Sequence, residues 1–130
     1  MDNIKTKYLD SLTSAQNLID NKMYTSSVHC SYYSTFQMMK FVLAHKCAVS
    51  YDTQDKQVGN SSHTFIITEI INNCKNPTLS RKIKNKFEVL KSNRVDADYH
   101  DVMFSDIESL DCIDLSKSIQ SLIKQQFGAL

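Results

Sequence analysis

The chain contains few of the residues that interrupt helices. Its 130 residues include two glycines, one proline and no tryptophan. Sheet proteins place Gly, Pro and Asn in frequent turns, whereas a bundle of long helices needs few of them. Hydrophobic residues make up 42% of the chain, an ordinary share for a globular domain. The composition therefore predicts a single all-α domain over residues 1–130.

The chain also lacks a membrane-spanning segment and a metal-binding pattern. No run approaches the roughly 20 apolar residues that a membrane span requires. Four cysteines lie far apart, without Cys-x-x-Cys spacing and without a secretory signal before them. His45 and Cys47 are close, but no second ligand pair follows at the spacing of a zinc site. We expect a reduced, soluble, cytoplasmic protein with no metal, no cofactor and no membrane contact.

Apolar residues recur at helical spacing along most of the chain. They predict helices over residues 3–21, 25–45, 62–74, 77–99 and 105–127. The polar residues 47–61 are expected to form a surface loop. Capping preferences favour Thr25 or Ser26 at the start of the second helix, and Ser61 or Ser62 at the start of the third. The sum is an up-and-down helical bundle of about five helices around one core.

The second predicted helix is the most apolar part of the chain. Its main stripe consists of large side chains three or four residues apart: Val28, Tyr32, Phe36, Met39 and Leu43. Further apolar residues widen this face, so we expect the helix at the bundle centre. The width of the face also favours a homodimer. Tyr32 and Tyr33 are interpreted as core aromatics whose hydroxyl groups reach a polar partner.

Charge is divided between two neighbouring segments, although the net charge is only +1. Residues 75–94 hold seven basic residues and one acid, whereas residues 95–114 hold seven acids and no Lys or Arg. Arg94 and His100 lie at the junction. Two solvated helix faces that attract each other would explain this pattern. A local phosphate-binding patch is the functional alternative.

The apolar stripe of the fourth predicted helix becomes charged near its end. After Leu90, the next positions in phase are Arg94 and then Asp98. Arg94 and Asp98 are four residues apart, the spacing of a helical ion pair. In an unbroken helix Arg94 and His100 would lie about 120° apart, at about 100° per residue. They would meet only if the helix end is distorted or a second protomer supplies its own pair.

Three segments, in this order and spacing, resemble HEPN domains. Residues 24–43 resemble the central helix of that family, with paired tyrosines followed by Phe and bulky apolar residues. Ser62-His63-Thr64 resembles the start of its third helix. Residues 90–99 (LKSNRVDADY) resemble its signature, an arginine with Ala-Asp-Tyr beginning three residues later. The resemblance covers most of the chain and implies the HEPN-like helical bundle.

The resemblance implies two possible functions. Active HEPN ribonucleases are metal-independent dimers that use an Arg, about four to six residues and then a His, which Arg94 and His100 match. His100 would then transfer protons at the ribose 2′-hydroxyl or the leaving oxygen, and Arg94 would hold the scissile phosphate. The product would be a 2′,3′-cyclic phosphate. Val95 departs from that pattern, which usually has a polar residue after the arginine.

The other function is a non-catalytic module. The form Arg-x-x-Ala-Asp-Tyr also occurs in HEPN relatives that lack a catalytic histidine. Such a chain would be a dimeric interaction or nucleotide/RNA-binding module that works with a nucleotidyltransferase-like partner. Candidate binding residues are Asp98, Tyr99, Lys91, Tyr32 and Tyr33. His63 is expected to cap the helix or to satisfy a local hydrogen bond, and a purely structural helical adaptor is a third interpretation.

Overall fold

The computed structural model describes residues 2–57 and 61–130, and the regular structure in these ranges is entirely helical. The six helices are α1 (Asn3–Asp20), α2 (Tyr24–Lys46), α3 (Tyr51–Asp55), α4 (Ser61–Asn73), α5 (Pro77–Tyr99) and α6 (Asp106–Phe127). This is the all-α bundle that the composition predicts, with one helix more than expected. Within these ranges no helix is both long and apolar enough to cross a membrane.

Helix α2 lies at the centre of the bundle, as its apolar content predicts. It packs against α1, α3, α4, α5 and α6. All five residues of its main stripe are buried. The wide apolar face of α2, from which we predicted a dimer, is therefore covered by other helices of the same protomer. A dimer would have to use a different surface.

Helix α6 buries a face that hydropathy alone does not indicate. The apolar spacing of Leu115, Ile119 and Leu122 predicts that these residues face inward, but only Ile119 is buried, and Leu115 and Leu122 are partly buried. Ser116 and Gln120 are buried instead, because hydroxyl groups of α2 provide their partners. Ser116 Oγ lies 2.7 Å from Thr35 Oγ1, and Gln120 Nε2 donates to Ser34 Oγ at 2.9 Å. Satisfied hydrogen bonds remove most of the cost of burying these polar groups.

The prediction for the start of α2 is wrong. The helix begins at Tyr24, and its cap, Met23, makes no side-chain hydrogen bond. Thr25 lies in the first turn, where its Oγ1 accepts the backbone N–H of Phe104 at 2.9 Å. Ser26 also lies inside the helix. Thr25 and Ser26 are residue types that often cap helices, but tertiary packing places the start of α2 at Tyr24.

The segment predicted as a loop, residues 47–61, contains the short helix α3. Ser50 caps this helix by accepting the N–H of Thr53. Gln54 anchors it, because its Nε2 donates to the carbonyls of Lys40 and Val49 at 3.1 and 2.9 Å. One turn is too short to show helical periodicity in the sequence.

Helix α4 begins at Ser61, so Ser62 lies within its first turn and is not the cap. The alternative cap, the side chain of Ser61, lies outside the described part of the chain, as do residues 58–60. The deepest side chains of α4 are Ile66 and Ile70. The apolar spacing predicts an inward face of Ile67, Ile70, Ile71 and Cys74, but Ile66 is buried, and Ile67 and Ile71 are only partly buried.

Helices α5 and α6 have the ends that the sequence predicts. Asn76 caps α5 and Pro77 occupies its first turn, and the helix continues to Tyr99. Ser105 and Glu108 form a reciprocal capping box at the start of α6, and Gly128 ends that helix. The long, uninterrupted α5 carries the buried stripe from Ile83 to Arg94, which brings the arginine into the bundle.

Candidate functional site

An arginine lies inside the bundle. Arg94 continues the stripe of α5 one turn beyond Leu90, and only 6% of its surface is exposed. Its guanidinium carbon lies 4.6 Å from the ring centre of Tyr32, 5.7 Å from that of Tyr33 and 5.8 Å from that of Tyr99. The negative faces of aromatic rings attract such a cation. The three tyrosines therefore form a cage that fixes the guanidinium plane.

The charge of Arg94 is incompletely paired. Its Nη1 lies 3.8 Å from Asp98 Oδ2, an ion-pair distance that is too long for a hydrogen bond. The same Asp98 oxygen lies 2.8 Å from His29 Nδ1, so the carboxylate is shared. The buried Nε of Arg94 has no hydrogen-bond partner in the described part of the chain. The ion pair that the sequence predicts is present, but its length and the unpartnered Nε leave the guanidinium group incompletely satisfied. Buried polar groups rarely lack partners, which makes this residue a candidate binding group.

One tyrosine of the cage, Tyr32, is hydrogen-bonded to His63 of α4. The Tyr32 hydroxyl lies 2.6 Å from His63 Nδ1, and the His63 ring stacks on Phe36 at 4.3 Å. Burial, together with the nearby cations Arg94 and Lys91, lowers the pKa of His63 to about 4. Burial also raises the pKa of Tyr32, more than Arg94 lowers it. At neutral pH the Tyr32 hydroxyl therefore donates to Nδ1, and the proton of the His63 ring is on Nε2.

Arg94 and His63 open onto a cleft of about 580 Å³ between α4 and the end of α5. The lining residues are Tyr33, His63, Thr64, Lys91, Arg94, Val95, Tyr99 and His100. His100 reaches the cleft because α5 ends at Tyr99 and the backbone of His100 is extended. The end of the helix thus brings Arg94 and His100 to one cleft within a single protomer. This corresponds to the first of the two arrangements considered from the sequence.

His100 is held in place by a carboxylate. Its Nδ1 lies 2.8 Å from Asp96 Oδ1, one helical turn back. A carboxylate on Nδ1 favours the proton at that nitrogen and leaves Nε2 as the basic atom. The His100 side chain is otherwise exposed.

The lining of the cleft is cationic. Lys91 and Arg94 contribute positive charge, and no described carboxylate is among the lining residues. Asp96 contacts His100, and Asp98 contacts His29 on the other side of α5, where it lines a separate cleft. Asp96 and Asp98 are thus absent from the lining of the cleft, although each contacts a residue that lines it, His100 and Arg94 respectively.

The structure separates the predicted binding residues into two groups. Lys91, Tyr33 and Tyr99 line the cleft together with the candidate pair Arg94 and His100. Tyr32 is fully buried beneath Arg94, and Asp98 faces the other cleft. His63 was expected to satisfy a local hydrogen bond, but its partner Tyr32 belongs to another helix. The only sequence signal for its part in the site is the Ser62-His63-Thr64 resemblance.

A second groove continues from the cleft along α4 and α5. It has a volume of about 350 Å³, and its walls include Thr64 and Lys91, which also line the cleft. Its floor is largely apolar, with Phe87, Ile67 and Ile71. Thr68, Asn72 and Glu88 add hydrogen-bonding groups. The two depressions together form one path, and beyond Lys91 its lining is mostly apolar, with Lys84 and Glu88 as the charged residues.

Across the residues the structure describes, no group of three or more His, Cys, Asp or Glu side chains is arranged to hold a metal ion. No known protein-family model, no curated protein and no solved structure matches this chain. Its function must therefore be argued from the cleft itself and from the residues around it.

Proposed function

We propose that this chain is a non-catalytic helical module of the HEPN type that binds the phosphate of a nucleotide or RNA in the cleft and works with a protein partner. The observation that carries the proposal is the cationic lining of the cleft, where Arg94 and Lys91 lie together and no described carboxylate is among the lining residues. Guanidinium groups with free donors recognise phosphate oxygens in a defined plane. The tyrosine cage fixes that plane, and Lys91 adds a second positive charge beside it.

The surroundings of Arg94 support an anion as the ligand. A neutral His63 adds no charge, but its Nε2–H is a further possible donor at the cleft wall. Asp96 and Asp98 do not line the cleft, so they oppose a phosphate there less than their position in the sequence suggests. A bound phosphate would compensate the buried charge of Arg94, which the 3.8 Å contact with Asp98 does only in part.

The adjoining groove favours a nucleotide over free phosphate. A base attached to a phosphate at Arg94 could enter the apolar groove beyond Lys91, where Thr68 and Asn72 offer hydrogen bonds. Tyr33 and Tyr99 line the cleft and provide ring faces for stacking. Unstacked bases of single-stranded RNA are recognised in this way, on aromatic side chains next to a basic groove.

The second candidate function is a metal-independent endoribonuclease. The observation that favours it is His100, whose Nδ1 is bound to Asp96 and whose ring lines the same cleft as Arg94. In that reaction His100 Nε2 would accept the proton of a ribose 2′-hydroxyl, whose oxygen attacks the phosphorus as the 5′-oxygen leaves. Arg94 would stabilise the added negative charge. We rank this function second because His100 is exposed and Val95 replaces the usual polar residue.

The dimer and the nucleotidyltransferase-like partner follow from the family resemblance and are part of the proposal. Because the wide face of α2 is buried inside the protomer, the contacts with other chains would involve the outer surfaces of the bundle. The partner and the cleft can be tested separately.

The cleft is tested by fluorescence anisotropy with a labelled single-stranded RNA of about ten nucleotides, long enough to pass through both depressions. Arg94→Gln should weaken binding about tenfold to a hundredfold, because a charged hydrogen bond to phosphate is lost. Lys91→Gln should weaken it less and should reduce the slope of log K against log salt by about one. Inorganic phosphate should compete far less well than a mononucleotide.

The matched control is Arg81→Gln, which removes a cation from an exposed position of α5 outside the cleft. It should bind RNA like the wild type, and circular dichroism should show every variant folded. Equal affinity of folded Arg94→Gln, Lys91→Gln and wild type would refute a phosphate site in this cleft. RNA cleavage in EDTA that yields a cyclic phosphate and disappears in His100→Ala would instead establish the ribonuclease.

A further inference from the structure

Apolar side chains are concentrated on the outside of the corner between α5 and α6. Val102, Met103, Ile107 and Leu110 are four of the eight large apolar side chains that the described part of the chain exposes. Met103 is 82% exposed and Ile107 is 67% exposed. We call these four residues the corner patch. A cluster of this kind on a small protein usually marks an interaction surface.

The corner patch is held in place by defined contacts. Between its members, Phe104 is buried, and its N–H donates to Thr25 Oγ1 at 2.9 Å. The capping box of Ser105 and Glu108 fixes the first turn of α6. Ile107 and Leu110 are three residues apart on that helix, on the face opposite the buried Cys112. A surface that is already ordered loses little conformational entropy when a partner binds.

The border of the patch is acidic. Asp101, Asp106, Glu108 and Asp111 are all exposed, and residues 95–116 contain no Lys or Arg. These charges repel RNA and anionic lipid surfaces. In a two-fold contact between copies of this chain, the patch would face its own acidic border, which like charges disfavour. Neither repulsion opposes a partner that has basic residues around an apolar ridge.

We infer that the corner patch docks a basic amphipathic segment of a partner protein, with the partner's apolar residues on Met103, Ile107 and Leu110 and its Lys or Arg residues against the acidic border. Helices commonly bind in this way, through apolar anchors one turn apart and charges at the edge. The inference gives a surface and a chemistry to the partner in the proposed function, and it rests on that part of the proposal. It does not depend on what the cleft binds.

The test uses the full chain and three labelled synthetic peptides of about 18 residues, designed as amphipathic helices. The first has a leucine ridge flanked by lysines, the second has glutamates in place of the lysines, and the third is the first in scrambled order. We expect saturable binding of the lysine peptide alone. The double variant Ile107→Ser/Leu110→Ser should weaken it about tenfold or more. Asp111→Lys should also weaken the lysine peptide and should improve binding of the glutamate peptide.

Val89→Ser is the matched control, because Val89 is 52% exposed on a helix outside the patch. It should bind the lysine peptide like the wild type. Equal binding of the scrambled or glutamate peptide, or an equal loss in Val89→Ser, would overturn the inference. Self-association in sedimentation experiments that Ile107→Ser/Leu110→Ser abolishes would also overturn it, since the occupant would then be a second copy.

The two proposals are distinguished by exchanging variants between the assays. Ile107→Ser/Leu110→Ser should bind RNA like the wild type, and Arg94→Gln should bind the lysine peptide like the wild type. Loss of peptide binding in Arg94→Gln would show that the peptide occupies the cleft, which contradicts the docking surface. Peptide binding without any RNA binding would refute the cleft proposal alone.

Discussion

Acidification should destabilise the protein through His63. Its pKa in the folded protein is lowered from 6.5 to about 4, mainly by burial and further by the cations Arg94 and Lys91. In the unfolded chain the ring titrates at its ordinary pKa. Between pH 6.5 and about pH 4 the unfolded state therefore binds more protons than the folded state. The free energy of unfolding must fall as the pH falls through this window, and above it His63 contributes no pH dependence.

The size of the effect follows from the same two pKa values. At about 1.36 kcal/mol per pKa unit, the difference between 6.5 and about 4 corresponds to about 3–4 kcal/mol, an upper limit because His63 is partly exposed and solvent screens part of the effect. Most domains are stable by about 5–15 kcal/mol, so this loss would be visible as a lower urea midpoint. Asp2 does not interfere. Its pKa is lowered from 3.8 to about 2, chiefly by the hydrogen bond from His45, so its contribution is lost only at lower pH.

The assay is urea unfolding followed by circular dichroism at several pH values from 7.5 to 4.5, with wild type beside His63→Asn. Asparagine keeps an acceptor for the Tyr32 hydroxyl but has no imidazole to protonate. The variant should be less stable at pH 7.5 by about 1–2 kcal/mol, because the ring stacked on Phe36 is lost. Its stability should then vary much less with pH. Tyr32→Phe, which leaves the imidazole buried, should keep the wild-type slope. A wild-type slope that persists in His63→Asn would refute the reasoning.

Three further predictions concern stability. Asp2→Asn should cost about 0.5–1 kcal/mol at pH 7, because solvent screens this exposed pair, and it should remove the loss of stability as the pH falls from 3.8 through about 2. An unchanged acid titration of stability would contradict this. Gln120→Ala should cost about 1–2 kcal/mol by urea unfolding, because the hydroxyls of Ser34 and Ser116 each lose one of their hydrogen bonds and the removed side chain leaves a cavity. Ser105→Ala should cost about 1 kcal/mol through loss of the α6 cap, and a change below about 0.3 kcal/mol would argue against the capping box.

Periodicity predicted the long helices because their buried faces are apolar over many turns. Helix α5 is the clearest case, since Ile83, Phe87 and Leu90 define a phase that Arg94 continues. The sequence predicts α6 as a helix, but it does not predict which face of α6 is buried. Ser116 and Gln120 are polar by type, and only the hydroxyl groups of a distant helix make their burial favourable. A hydropathy pattern does not reveal such hydrogen bonds between distant residues.

The candidate site was predictable only in part, for a similar reason. Arg94 and His100 were identified by phase and by resemblance, and both line the cleft. The contact between Tyr32 and His63 joins residues 31 positions apart and depends on how α2 and α4 pack. The orientation of Asp98 toward His29 is another product of packing. One-dimensional patterns indicate which residue types share a helix face, but they do not indicate which helix lies opposite.

The contacts between α2 and α6 have a consequence for how the chain is made. Thr35 and Ser116 are 81 positions apart, and Ser34 and Gln120 are 86 apart. The core around the central helix therefore closes only after nearly all of the chain has been synthesised. Until α6 emerges, the Thr35 hydroxyl lacks its Ser116 partner, and the apolar side chains that α2 presents to α6 are not covered by that helix. A ribosome that stalls before residue 106 would thus carry an unfinished chain with its central helix open, in the state that chaperones bind and proteases cut.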